Sequence, residues 1–469
     1  MRPPKPLPQR RIRRAEAVPE MAEQQSPAAS EPLVLAGGEI VERTGRRHAD
    51  ITVLDGRIAA VDPPGTGRDG SAHVIDATGC VVAAGLVDLF SRLGEPGNEE
   101  AETVATATAA AALGGFTAVL AQPDTDPPLD RLGQLAELRR NAAGRHCAVV
   151  AAATITADRV GKRLSPMAEL ADAGVRWFTD VGPLADSGLL RRALQYTGPL
   201  GGTVSVRPAT AHLGGTAAMA EGAVSARMGL AGEPAASEEL AANAAIGVAR
   251  ITGGRLHLDR ISAARTVELV RAAKAEGIDV SASVAAEHLY FIDVDADGYD
   301  TLMRAEPPYR TAQDQAALVA GVNDRTIDAV VSGHSPVPPQ AKDLPFDEAP
   351  PGVAALETCA ALLLGHPDIS VETALDALAW RPAELASATH LGGGAIEPGQ
   401  PANLVVFDLE RPWTLAERGS VSMARNTPHR NRQMGAMVTA TIVAGRTVVT
   451  DGALCSMAGT VAALTAGTT

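Results

Sequence analysis

Residues 81–121 read VVAAGLVDLFSRLGEPGNEEAETVATATAAAALGGFTAVLA, and this stretch decides the fold. Val81–Leu89 is a near-continuous apolar run, the composition of a strand buried on both faces. Glu99–Leu113 is rich in alanine and predicts a helix, closed by Gly114-Gly115. Phe116–Ala121 is a second buried-strand run. Strand, helix and strand in immediate succession predict a crossover between parallel strands.

Further along the chain the rhythm repeats. Strands are predicted at Ala148–Ala152, Val175–Thr179, Thr203–Val206, Arg255–Leu258, Val280–Val284 and Ala329–Ser332. Helices are predicted at Arg131–Arg140, Met167–Ala173, Leu189–Tyr196, Ser237–Ile251, Ala264–Glu276 and Gln313–Val322. Nearly eight such units predict an α/β protein built on a (β/α)8 TIM barrel, with any chemistry at the C-terminal ends of its strands.

The chain ends read differently. Leu33–Leu35, Ile51–Leu54, Arg57–Val61, Ala402–Asp408 and Val438–Val449 are short alternating runs broken by Gly and Asp. They are expected to pair into one small β-sandwich. The expected layout is a tail at 1–31, a sandwich from 32–80 and 395–453, a barrel at 81–394 and a second tail at 454–469. The first tail carries Pro3, Pro4, Pro6 and Pro8, then Arg10, Arg11, Arg13 and Arg14, with no apolar run behind them. It is expected to be disordered, with a basic arm for an acidic partner as the alternative.

Composition narrows the function. The 469 residues are 46% apolar but only 3% aromatic, so the core is expected to be filled by small aliphatic side chains. A formal net charge of -14 argues against nucleic acid and anionic membranes as partners. No apolar run is long enough to span a bilayer. Cys80, Cys147, Cys359 and Cys455 are far apart, which fits a reducing cytoplasm and excludes a cysteine zinc cluster.

The motifs are specific. Ala84–Gly97 resembles PGLVDxHxHLREPG, and Gly114–Asp126 resembles GGFTxVxxMPNTxP. Glu221–Pro234 resembles EGxVSARLGLxGxP, Arg255–Ala264 resembles RxHxCHVSTA, and Val284–Leu289 resembles VTPHHL. Pro307–Thr311 resembles PPLRT, Thr326–Pro336 resembles TIDxxATDHAP, and Lys342–Thr358 resembles KDxxFxxAPxGxxGLET. Arg425–Pro428 matches RNTP. These are the ordered signatures of the dihydroorotases. The resemblance implies the amidohydrolase architecture, a distorted TIM barrel with a β-sandwich from both chain ends. It also implies the family reaction, the reversible cyclisation of carbamoyl aspartate to dihydroorotate, with zinc polarising the amide and activating water.

Yet the family's metal ligands are replaced. The His-x-His positions hold Phe90 and Arg92. The strand-five His position is Arg207, and the second His of HxCH is Arg260. The strand-eight Asp, both ligand and general base, is Gly333. Only Asp180 keeps a carboxylate from SDDG. Phenylalanine has no lone pair to give, and arginine keeps its proton and cannot ligate a cation. The substrate positions are also altered: the Arg of HLRE is Gly94, the Asn of PNT is Asp124, and the Asn before PPLRT is Glu306, while His334 is retained. His257 and His334 are expected to be satisfied barrel histidines, His288 is a further remaining histidine, and His212 is at most a stray ligand.

Three guanidinium groups, Arg92, Arg207 and Arg260, are therefore expected where a dication would sit. They need counter-charges, and Glu95, Asp124, Asp180, Asp259 and Glu306 are the candidates. Two outcomes are open: arginine–carboxylate pairs that fill the mouth, or an anion site. No catalytic residue and no cofactor is expected. The resemblance implies a use that needs neither, since some dihydroorotase-like chains of bacteria are non-catalytic partners that brace aspartate carbamoyltransferase. That pseudoenzyme role in pyrimidine biosynthesis, within a homo- or hetero-oligomer, is the leading expectation. The alternatives are a working dihydroorotase or cyclic amidohydrolase with a rebuilt site, and an anion-binding sensor.

Overall fold

The computed structural model describes residues 32–66, 72–184, 186–214 and 217–456. The tail expected at 1–31 lies outside them, as does 457–469 of the second tail. The predicted run Val81–Leu89 divides at Gly85. Val81–Ala84 lies antiparallel to Leu404–Asp408 and parallel to Leu33–Glu42, in a sheet made by the chain ends. The barrel begins at Leu86, so the boundary falls at Gly85 rather than at 81. Gly85 N donates to the Asn403 carbonyl at 2.9 Å, and a Cβ there would lie 2.2 Å from Thr117 Cγ2. Only glycine lets the chain pass this close from one sheet to the other.

Eight parallel strands follow in sequence order: β1 (Leu86–Ser91), β2 (Phe116–Ala121), β3 (Ala148–Ala153), β4 (Trp177–Thr179), β5 (Thr203–Val206), β6 (Leu256–Leu258), β7 (Val280–Ala285) and β8 (Ala329–Val331). Alternation sorts their side chains. On β2, Ala118 and Leu120 join the interior cluster with Val87, Leu89, Ala152, Trp177 and Val331. Val119 and Ala121 join the cluster beneath the helices. Closure between β8 and β1 runs largely through side chains. The Asp88 carboxylate accepts from Ser332 N at 2.8 Å and Ser332 Oγ at 2.6 Å, and Arg92 N donates to His334 O at 3.0 Å.

The first barrel helix is Val104–Leu113, shorter than predicted, because Thr103 and Thr106 form a capping box at its start. The other helices include Ser187–Thr197, Ala235–Thr252, Ala264–Ala275 and Ala312–Asn323. Both chain ends meet in one nine-stranded sheet. It folds over a core of its own, with Leu35, Ile40, Ile51, Ile58, Leu404, Val406 and Ile442 buried together. No helix among the described residues is long and apolar enough to cross a membrane.

Candidate functional site

Strand β1 delivers Phe90 and Arg92 to the C-terminal mouth of the barrel. Phe90 is fully buried. Arg92 Nε meets Asp124 Oδ2 at 2.7 Å, and its Nη1 donates to Ser335 Oγ at 3.2 Å. Burial works against the Arg92 cation, but Asp124, followed by Glu306, outweighs it and raises the pKa. Asp124 reaches the site from the loop after β2, at the position of the family's Asn.

Arg260 follows β6 and is among the largest fully buried side chains. Its guanidinium carbon lies 3.7 Å from the centre of the Phe90 ring, with that of Arg92 at 5.6 Å from the same ring. A face-on cation in a dry site is a favourable partner for the ring's negative face. Arg260 Nε pairs with Asp259 Oδ2 at 2.9 Å, and Nη1 donates to the Glu306 carbonyl at 2.9 Å. Its backbone is left-handed, with φ +49°. Ser283 Oγ, 3.0 Å from Arg260 N, holds that conformation. Arg207 follows β5 and reaches Glu306 Oε1 through Nη2 at 3.1 Å. Burial pushes the Glu306 carboxyl up, but Arg207, Arg260 and Arg92 together hold it below the usual carboxylate value.

The structure therefore gathers the three arginines and three of the five candidate counter-charges. Glu95 is used elsewhere: its Oε2 accepts from Val104 N at 2.8 Å at the start of the first helix. Asp180 accepts from Ile155 N at 2.9 Å, Thr156 N at 3.0 Å and Thr156 Oγ1 at 2.6 Å. Burial, partly offset by those bonds, raises its pKa.

Two glycines close the remaining family positions. Gly94 has φ +77°, and a Cβ on it would stand 2.0 Å from Glu102 O. No side chain can occupy the position of the family's clamping Arg without moving the loop. Gly333 has φ +63°, and its Cβ would meet Ala285 Cβ at 3.0 Å and Glu287 Oε1 at 3.3 Å. Glu287 is the buried carboxyl at the mouth that motif reading passed over. It replaces a His of VTPHHL, which is legible, but its position facing Gly333 is not. Burial pushes its carboxyl up to about 7, and Oε2 has no hydrogen-bond partner.

The histidines divide. His257 has both ring nitrogens engaged inside the barrel, with Ser281 Oγ at 2.9 Å and Ser283 Oγ at 3.0 Å, and burial lowers its pKa to about 4. His288 Nε2 lies 2.9 Å from Pro307 O. His334 is less satisfied than expected: its Nε2 stands 3.4 Å from Glu102 Oε2, and neither ring nitrogen makes a hydrogen bond. Glu102 is buried, which pushes its carboxyl up, but His334 together with Ser422 and Thr106 outweighs the burial and lowers its pKa. His212 is exposed and lines a cleft outside β5 that Arg207 also borders.

Comparison with known proteins agrees with the layout. Residues 79–266 match the family model described as dihydro-orotase-like. The dihydroorotase of Pelotomaculum thermopropionicum is 36% identical over 423 residues, covering 89% of this chain and 99% of that one. The dihydroorotase of Anaeromyxobacter dehalogenans is 36% identical over 433 residues, covering 90% of this chain and 99% of that one. Among solved structures, the L-hydantoinase (dihydropyrimidinase) of Arthrobacter aurescens superposes with a TM-score of 0.81 at 22% identity, covering 90% of this chain and 97% of that one, a likeness of fold. With the signatures in order from Ala84 to Pro428 and near-complete coverage of its relatives, the chain belongs to the dihydroorotase family.

Proposed function

We infer that this dihydroorotase-family chain has left the family's metal chemistry and serves as a structural partner of aspartate carbamoyltransferase. One observation carries the first half. The guanidinium of Arg260 lies on the Phe90 ring, with Arg92 and Arg207 beside it, at the positions from which the family's motifs supply ligands. These residues do not fit a zinc ion. Phe90 has no lone pair, and the three cations repel a dication. Among the described residues, no group of three or more His, Cys, Asp and Glu side chains is placed to share a metal.

The partner role is supported by what the segments resembling the family's motifs do here. Asn426 of the RNTP segment accepts from Val337 N at 3.0 Å and donates to Ser335 O and Gly352 O at 3.0 Å. Glu357 of the KDLPFDEAPPGVAALET segment accepts from Arg418 at 2.8 Å, Ser420 Oγ at 2.7 Å and Val421 N at 3.0 Å. These segments bind the molecule's own loops together, which suits a rigid scaffold.

The test is threefold on purified protein: zinc content, carbamoyl aspartate cyclisation, and co-elution with aspartate carbamoyltransferase. Co-elution without zinc and without turnover is expected. Near-stoichiometric zinc or cyclisation above the blank would overturn the first half, and separate elution the second.

A further inference from the structure

Helix Ala235–Thr252 packs between Ser187–Thr197 and Ala264–Ala275 and turns Ala242, Ala245, Ile246 and Ala249 into the core. Its outer face carries a second apolar row. Leu240, Ala244, Gly247 and Ile251 follow one another at spacings of four, three and four residues, the seam along which one helix meets another. Nothing among the described residues covers its ends: Leu240 is 58% exposed and Ile251 is 67% exposed. Tyr196 stands exposed at the same end as Ile251, where a Cβ on Gly254 would lie 2.8 Å from Leu194 Cβ. Large apolar side chains gathered in water mark a contact surface.

Gly247 points to how close the contact comes. Glycine is disfavoured in the middle of a helix. Among the described residues nothing requires it, since its φ is not positive and a Cβ there would meet no atom within 4 Å. The missing side chain instead leaves room for a backbone approaching from outside. The row also has a symmetry: small residues at the centre, large ones at both ends. Such a row complements itself when reversed, as a two-fold contact demands.

Charge selects the same arrangement. Glu239, Asn243 and Arg250 lie along one flank of the row. The Arg250 side chain is still 50% exposed, although its Nη2 meets Glu276 at 2.8 Å. In an antiparallel pair related by a two-fold axis each flank meets its own copy, which sets Arg250 beside the Glu239 of the other molecule. The opposite flank of the helix, with Ala241 and Val248, brings no charge. We propose that this face binds a second copy of the chain, antiparallel, with the two-fold axis between Ala244 and Gly247. Leu240 of each copy then covers Ile251 of the other. Eighteen residues of helix are about 27 Å long. One such helix and its rim sit at the low end of specific interfaces, so a dissociation constant of roughly 10 μM is expected. Neither zinc nor a transferase takes part, so this pairing stands or falls apart from the scaffold reading.

The experiment is sedimentation velocity of the full chain from about 1 to 100 μM, where monomer should give way to dimer. Gly247→Gln is expected to weaken the dimer at least roughly tenfold with an unchanged circular dichroism spectrum, because its side chain enters open space. Arg250→Glu should weaken it roughly threefold, and adding Glu239→Arg should restore it. That charge swap decides the matter if Gly247→Gln fails to fold. Monomer at every concentration would overturn the proposal. So would a dimer that folded Gly247→Gln leaves intact, or a swap that restores nothing.

Discussion

Glu306→Gln removes one negative charge from the barrel mouth and almost no volume. Its backbone carbonyl, which accepts from Arg260 at 2.9 Å, is untouched. What is lost is the counter-charge to Arg207 at 3.1 Å and the attraction of Arg260 and Arg92. Breaking a fully buried pair costs about 3–5 kcal/mol, and an exposed pair is worth about 0.2–1 kcal/mol. The Arg207 side chain is 10% exposed and that of Glu306 is 34% exposed, so this pair falls between. We expect about 2 kcal/mol of destabilisation by urea unfolding at neutral pH. A double-mutant cycle with Arg207→Met should give a coupling of about 1–2 kcal/mol. The pH dependence has a fixed sign. The folded-state pKa of Glu306 lies below its ordinary value of 4.5, so the charge contributes in full above that value. The gap between parent and variant should shrink as the pH falls below 4.5 through the folded pKa. A difference under about 0.5 kcal/mol at neutral pH, within the range of ordinary surface substitutions, would refute the claim that Glu306 balances the arginines.

Four further outcomes are expected. Phe90→Leu should lower stability by about 2 kcal/mol through the lost ring under Arg260, read by urea unfolding. The pair Phe90→His with Arg92→His should take up far less than stoichiometric zinc by elemental analysis, and should not cyclise carbamoyl aspartate, because Arg207, Arg260 and Gly333 remain. Gly94→Ala should cost more than about 2 kcal/mol, since its Cβ meets backbone at Glu102, and a lowered melting temperature would register it. Burial holds His257 at about 4 against an ordinary 6.5, so the neutral ring stabilises the fold above 6.5 and that contribution disappears as the pH falls from 6.5 toward 4. His257→Gln should flatten stability over that window by up to about 3 kcal/mol, measured by urea unfolding at stepped pH.

The sequence made the barrel legible because strand and helix differ in period, and the predicted strands fall on the observed ones within a few residues. It mislaid Gly85, since an apolar run shared by two sheets looks like one strand. The arginine substitutions were equally legible, because motif positions are local. Their partners were not. Asp124, Asp259 and Glu306 look no different in sequence from Glu95 and Asp180, and nothing in spacing tells a carboxylate at a helix start or under a backbone turn from one against a guanidinium. Glu287 escaped for the same reason, its neighbour Gly333 lying beyond the end of a different strand.

Gly85 has a consequence for the order in which the molecule can be built. Val81–Ala84 emerges early in synthesis, but its antiparallel partner, Leu404–Asp408, follows only after every strand of the barrel. Until then the early half of the end sheet keeps an unpaired edge beside apolar Val81 and Val82, a surface open to other chains. Once the late strand arrives, one residue separates that clasp from the strand that carries Phe90 and leads into Arg92. Closing the two chain ends and seating the barrel mouth thus become parts of a single final event. Truncation after the barrel should leave not a smaller folded protein but an unfinished one.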